Sequence, residues 1–214
     1  MVFKDREQAG RLLAEQLKRY AKLANVIVLG IPRGGIPVAF EIAVALNAPL
    51  DLFLCAKLGV PGREELAFGA IVADDGRFLD EQVIRASNIS EAEIERISHD
   101  ARQTLQQHAI LYQGHPSALS VRGRIVILVD DGIATGASMY ASIHALRQMG
   151  VEKLIVAVPI ASGSSCIWLR SLVEELICLY NPTYFNAVGE FYSDFSQVSD
   201  SAVMDRLRRA AHRI

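Results

Sequence analysis

The residues best equipped for chemistry lie in one stretch, Val126-Ile127-Leu128-Val129-Asp130-Asp131-Gly132-Ile133-Ala134-Thr135-Gly136-Ala137-Ser138. Four aliphatic residues run into two adjacent carboxylates, and a loop of small residues follows. Ala134, Thr135, Gly136, Ala137 and Ser138 are small enough for backbone N–H groups to converge on a phosphate. Gly136 permits close approach, Thr135 and Ser138 add hydroxyls, and the helix read from Ala137 to Met149 contributes its positive end. Asp130 and Asp131 would repel that phosphate. They suit the 2′- and 3′-hydroxyls of a neighbouring ribose, or a cation carried by the same ligand. The plainer alternative is an Asp pair that caps a turn.

Two more segments carry usable groups. Ile31-Pro32-Arg33-Gly34-Gly35 follows the apolar run Val26–Leu29. Arg33 can make charge-assisted bonds to phosphate oxygens, while Gly34 and Gly35 open the backbone to a ligand. Lys57 closes a second apolar run, read as one strand from Asp51 to Lys57. A simple strand–helix turn and an exposed strand-end lysine are the alternatives.

Val126–Ser138 resembles the PRPP (phosphoribosyl diphosphate) motif of the type I phosphoribosyltransferases: an aliphatic run, two acids, small residues, Thr-Gly. Gly132 departs from it, since many members carry an aliphatic residue or Ser there. The resemblance implies that Asp130 and Asp131 hold the ribose hydroxyls and that Ala134, Thr135, Gly136, Ala137 and Ser138 wrap the 5′-phosphate. It implies that Arg33, Gly34, Gly35 and Lys57 meet the pyrophosphate, with Mg²⁺ carried by PRPP near Asp130 and Asp131. Asp130, Asp131, Lys57 and Arg33 are then the catalytic set. The implied reaction displaces pyrophosphate at the anomeric carbon by a nitrogen nucleophile, so positioning and charge stabilisation dominate. The stretch Leu58 to Ala70 also resembles a subgroup of bacterial phosphoribosyltransferases of undefined acceptor, and Leu58–Leu66 occupies the place of the family's mobile loop. The run Pro182 to Asp194 loosely resembles the purine-salvage members, which makes Phe185 the candidate face for stacking on a base. Packing of these aromatics against the core is the alternative.

These groups need a frame that brings loops to one edge. Short apolar runs at Val26–Leu29, Asp51–Lys57, Arg124–Val129, Leu154–Val158 and Leu176–Leu179 alternate with helical periodicity at Asp5–Leu23, Ile36–Asn47, Ala137–Met149 and Ser164–Leu172. Runs without a polar alternation fit strands covered on both faces. The expectation is an α/β fold: a mainly parallel twisted sheet with helices on both faces, and ligands at the strands' carboxyl ends. Phe68–Ala73 and Arg77–Asp80 read as a hairpin turning at Asp74-Asp75-Gly76. Ser90 and Glu93 form a capping box opening a helix to about Tyr112, with a stripe of Ile94, Ile97, Ala101, Leu105 and His108, ended by Gly114 and Pro116. One domain over 1–214 is expected: a core at about 1–66 and 120–180, an insertion at about 67–119, and a hood from about 181–214.

The 214 residues are 51% hydrophobic, enough for a sizeable core, and the net charge of -2 argues against a general nucleic-acid binder. Cys55, Cys166 and Cys178 sit in apolar surroundings and read as reduced thiols. The histidines fit no metal-ligand spacing. With no secretory signal and no apolar run long enough to span a membrane, a cytoplasmic protein is expected. The expected partners are PRPP and a small nitrogen acceptor, with a homodimer allowed and no membrane. The alternative function is a PRPP- or nucleotide-sensing regulator that binds nucleic acid, motivated by Arg206, Arg208, Arg209, His212 and Arg213.

Overall fold

The computed structural model describes residues 2–72, 76–112 and 120–212, the side chain of Glu65 excepted. Its central sheet has five parallel strands: β1 (Val26–Gly30), β2 (Leu50–Leu52), β6 (Ile125–Val129), β7 (Lys153–Ile160) and β8 (Glu175–Tyr180), in the order β2-β1-β6-β7-β8. The unbroken apolar strands are explained by their two covered faces. Val26, Val28, Ile127 and Val129 pack with α2 (Gly35–Leu46), α1 (Arg6–Gln16) and α7 (Asp200–Ala211). Ile27, Leu29, Val126 and Leu128 pack with α5 (Ala137–Gln148) and α6 (Gly163–Leu169) on the other face. The α/β expectation therefore holds.

A second sheet is antiparallel: β3 (Cys55–Val60), β4 (Arg63–Val72) and β5 (Arg77–Leu79). Two corrections follow. Asp51–Lys57 is not one strand. The Phe53 N–H still donates to the Gly30 carbonyl (2.9 Å), after which the chain leaves the central sheet and starts β3. Leu58–Leu66 is not an irregular loop but the end of one strand, a turn at Pro61-Gly62, where Gly62 has φ +73°, and the start of the next. The apolar side chains in these strands supply the physical reason: Leu58, Val60, Phe68 and Ile71 pack with Ile94 and Leu105 of α4 (Glu91–Leu111), while Ala67, Ala70 and Val72 pack with Met139 and Ile143 of α5.

The β4–β5 hairpin and the Ser90–Glu93 capping box form as expected. The short helix α3 (Glu81–Ala86), capped by Asp80, had no clear sequence signal. Ile94 and Leu105 are buried on α4, but His108 faces solvent. The first helix ends at Gln16 and passes into a 3₁₀ turn at Lys18–Tyr20. Strand β7 runs through Pro159 to Ile160 rather than stopping at Val158. The expected turn at Asp74-Asp75, the helix stop at Gly114 and Pro116, and Arg213 lie outside the described residues. The three cysteines are free thiols, and burial pushes Cys55 and Cys178 up to about 12. No described helix is long and apolar enough to cross a membrane.

Candidate active site

Strand order reverses between β1 and β6: the chain runs outward from β1 to β2 on one side, and from β6 through β7 to β8 on the other. Loops leaving such a pair diverge and open a crevice at the carboxyl edge. Gly30 and Val129 are register partners, so residues 31–35 and 130–136 leave from the same edge side by side. The Ile31 N–H donates to the Val129 carbonyl (2.9 Å). A Cβ on Gly35 would lie 2.7 Å from that carbonyl oxygen, and one on Gly34 would lie 2.0 Å from Asp131 Oδ2. Only glycines let the first loop lie against the acids.

Asp130 and Asp131 are half-buried, and Asp130 Oδ1 accepts from the Asp131 N–H (2.8 Å). Burial raises both carboxyls above their ordinary range, and the charge of Asp131 raises Asp130 further. The guanidinium of Arg6 opposes this at Asp131, where its Nε donates to Oδ2 at 2.7 Å. Arg6 is itself fixed: it lies over the Phe195 ring (3.9 Å to the centroid) and donates to the Ser196 carbonyl (2.9 Å). Gly10, one turn along α1, explains its reach. A Cβ there would meet the Val38 carbonyl at 2.7 Å, so the glycine seats α1 closely on α2. Tyr192 adds a second tie, donating its hydroxyl to the Asp131 carbonyl (2.6 Å), and burial holds that phenol protonated.

The helix starts differ in a telling way. Side chains cap α1, α3, α4, α6 and α7, using Asp5, Asp80, Ser90, Ser162 and Ser199. Helices α2 and α5 begin at Gly34 and Gly136 with no side-chain cap. These are the two helices that follow the crevice loops. At α5 the first N–H groups and the positive dipole end are disposed for an anion. At α2 the Gly35 and Ile36 N–H groups donate to the Ile31 and Arg33 carbonyls (3.0 and 3.2 Å) and Pro37 has none, so its start offers the dipole end alone. Gly136, at φ +81°, turns the chain into α5, and Trp168 closes over it: a Cβ there would meet the indole at 2.6 Å. A cavity of about 290 Å³, lined by Leu66, Ala67, Thr135, Ala137, Tyr140 and Trp168, borders this loop.

The structure thus brings together Asp130, Asp131, Ala134, Thr135, Gly136, Ala137, Ser138, Gly34 and Gly35. Arg33 is in the same loop, and its guanidinium pairs with Asp200 at 3.7 Å, at the start of α7. Lys57 is displaced from its expected place: it lies inside β3, paired in register with Ala70, rather than ending a central strand. Phe185 stacks on Phe191 (5.6 Å between centroids, 22° between planes), so one ring face is used in hood packing. The departure at Gly132 has a cause, since a Cβ there would meet Val188 Cγ1 at 2.4 Å; the hood rests directly on this residue. Among the basic residues of α7, Arg206 pairs with Glu7 and Arg209 with Asp205. Arg6 escaped the sequence reading because it looks like any charged residue on an amphipathic helix and its partner lies far along the chain. Among the described residues no group of three or more His, Cys, Asp or Glu side chains is placed to cage a metal.

Comparison with known proteins gives the family and the fold. The sequence model of the family described as "Phosphoribosyl transferase domain" matches residues 3–192. A protein of Mycobacterium tuberculosis strain H37Rv, named provisionally as a phosphoribosyl transferase, is 42% identical over 209 residues; these cover 98% of this chain and 47% of that protein. The chain therefore spans about half the length of that curated relative. The crystal structure of TT1426 from Thermus thermophilus superposes with a TM-score of 0.91 at 39% identity, covering 98% of this chain and 99% of that one. The AQ2163 protein of Aquifex aeolicus shares the fold at a TM-score of 0.51 and 11% identity, over 86% of this chain and 78% of that one. With the family model spanning most of its length, the chain belongs to the phosphoribosyl transferase domain family.

Proposed function

We propose that this chain transfers the phosphoribosyl group of PRPP to a nucleobase or related nitrogen heterocycle and releases pyrophosphate. One observation carries the reading: the two helices without side-chain caps, α2 and α5, start on either side of the half-buried Asp130–Asp131 pair at the point where strand order reverses. PRPP has phosphates at both ends of a ribose. Its 5′-phosphate would meet the start of α5, its pyrophosphate the start of α2 and Arg33, and its hydroxyls the acids between them. Asp131 would keep Arg6 as counter-charge while accepting from a hydroxyl through its remaining lone pairs.

The chemistry asks for no nucleophilic side chain. Charge builds on the departing pyrophosphate, and the positive dipole end of α2 with Arg33 would stabilise it. Mg²⁺ suits the oxygen donors present, but with Asp131 engaged by Arg6 it would be held mainly by the ligand's own phosphates; when bound, it neutralises charge on the leaving group. We read residues 1–214 as one unit, since Leu58, Phe68 and Leu105 of the accessory lobe pack in the same apolar cluster as Val28 and Ile36.

The test is calorimetric binding of PRPP with Mg²⁺, followed by PRPP-dependent pyrophosphate release across a panel of nucleobases and related heterocycles. Binding that disappears in the Asp130→Asn, Asp131→Asn double variant supports the reading. A wild-type protein that does not bind PRPP overturns it.

A further inference from the structure

The phosphate loop is held from behind. Val129 and Ala157 are the last register partners between β6 and β7, and four residues on in each chain Ile133 and Ala161 form an isolated parallel bridge. The Ile133 N–H donates to the Ile160 carbonyl (2.9 Å), and the Ser162 N–H donates to the Ile133 carbonyl (3.0 Å). Two side chains then converge on one atom. Ser162 Oγ and Ser165 Oγ each donate to the Ala134 carbonyl oxygen, both at 2.8 Å. Ser165 is almost fully buried (1% exposed), and its hydroxyl lies 2.9 Å from Ser162 Oγ. Neither residue touches the acids or the Arg33 loop in any bond described above.

A planar trans peptide points its C=O and its N–H in opposite directions. With the Ala134 carbonyl bound to α6, the Thr135 N–H on the same peptide faces away from α6, toward the exposed side of the loop. Were that peptide to flip, a carbonyl oxygen would face an incoming phosphate and repel it. A loop of small residues has little of its own to prevent this, since Ala134 and Thr135 carry small side chains and a glycine follows them, with few steric limits on its backbone. We propose that Ser162 and Ser165 are positioning residues, which fix the peptide between Ala134 and Thr135 so that the loop presents N–H groups to the 5′-phosphate of a phosphorylated ribose. This inference rests on the reading of the site as a PRPP site.

The experiment separates the two ends of the ligand. Wild type, Ser165→Ala, the Ser162→Ala, Ser165→Ala double variant, and Ser162→Thr are titrated calorimetrically with PRPP, with ribose 5-phosphate and with pyrophosphate, all with Mg²⁺. Loss of both hydroxyls should weaken PRPP and ribose 5-phosphate by about tenfold or more. Pyrophosphate, which meets the 31–35 loop, should bind as in wild type and so reports an intact fold. Ser162→Thr keeps a donor at the same position and should bind like wild type. Unchanged affinity for the two sugar phosphates in the double variant overturns the inference alone, as does a parallel loss of pyrophosphate binding, which marks general damage. A wild-type protein that binds neither sugar phosphate overturns the inference and the reading beneath it together.

Discussion

Replacing Arg6 by Met should destabilise the fold in a pH-dependent way. Arg6 and Asp131 have side chains only 11% and 15% exposed, so the pair is close to a buried ion pair. Removing one partner of such a pair costs about 3–5 kcal/mol when the other stays charged. Asp131 can escape part of this by taking up a proton, so about 3 kcal/mol is expected at pH 8. Its carboxyl is already raised by burial, with Arg6 pulling it down. A carboxyl raised on folding contributes stability that is fully present below its unfolded value, about 3.9, and lost as pH rises through the folded value. Without Arg6 the folded value climbs further, so the loss deepens toward neutral and alkaline pH. Unfolding followed by circular dichroism should therefore give a midpoint roughly 6–12 °C below wild type at pH 8, and a clearly smaller deficit at pH 5. Adding Asp131→Asn to Arg6→Met should recover most of the loss at pH 8, a coupling that a double-mutant cycle isolates. An equal deficit at both pH values with no coupling would refute the reasoning, and would assign Arg6's contribution to its packing on Phe195.

Four other outcomes are expected. Gly34→Ala should weaken PRPP binding by roughly 10²-fold in calorimetry and also lower the thermal midpoint, because its Cβ would lie 2.0 Å from Asp131 Oδ2 and must displace the carboxylate that pairs with Arg6. Gly132→Val should lower stability by about 1–3 kcal/mol in urea unfolding, since its Cβ would collide with Val188. Tyr192→Phe should lower it by about 1 kcal/mol, by removing the donor to the Asp131 carbonyl. Ser90→Ala should also cost about 1 kcal/mol through the lost capping box of α4, with no change in PRPP affinity; altered affinity would mean that α4 reaches the site.

What could be read from sequence was whatever is local in the chain. Strand, acids, loop and helix are consecutive from Val126 to Ser138, so their types and order describe one half of the crevice without a fold. The central strands were legible because both faces are buried and each run is apolar throughout. The same property hid the break at Phe53-Leu54: both residues are buried, at 6% and 9% exposed, so the run looks continuous while the chain changes sheets. Lys57 was misplaced for that reason alone. The second sheet was obscured because its polar turn at Pro61-Gly62 dominates the composition of the stretch around it. Arg6, Tyr192, Ser162 and Ser165 were illegible because each acts on a residue from another part of the chain, and an arginine, a tyrosine or a serine on an element end is common. Gly132 was noticed as a departure from the family pattern, but its reason, the side chain of Val188, became visible only with the hood in place.

The glycine start of α5 has a thermodynamic consequence. Most helices in this fold gain stability from a side-chain cap at their own start; α2 satisfies its first N–H groups with the Ile31 and Arg33 carbonyls, while α5 leaves that contribution to whatever anion binds. On the proposed reading, the substrate then acts as a structural part as well as a reactant, and the folded state is linked to its concentration. At PRPP levels about one hundred times the dissociation constant the linkage amounts to about 2.7 kcal/mol. For a chain of this size that corresponds to a rise of roughly 5–11 °C in the unfolding midpoint. In a cell the supply of phosphoribosyl donor would thus set how long the protein survives, alongside how fast it works.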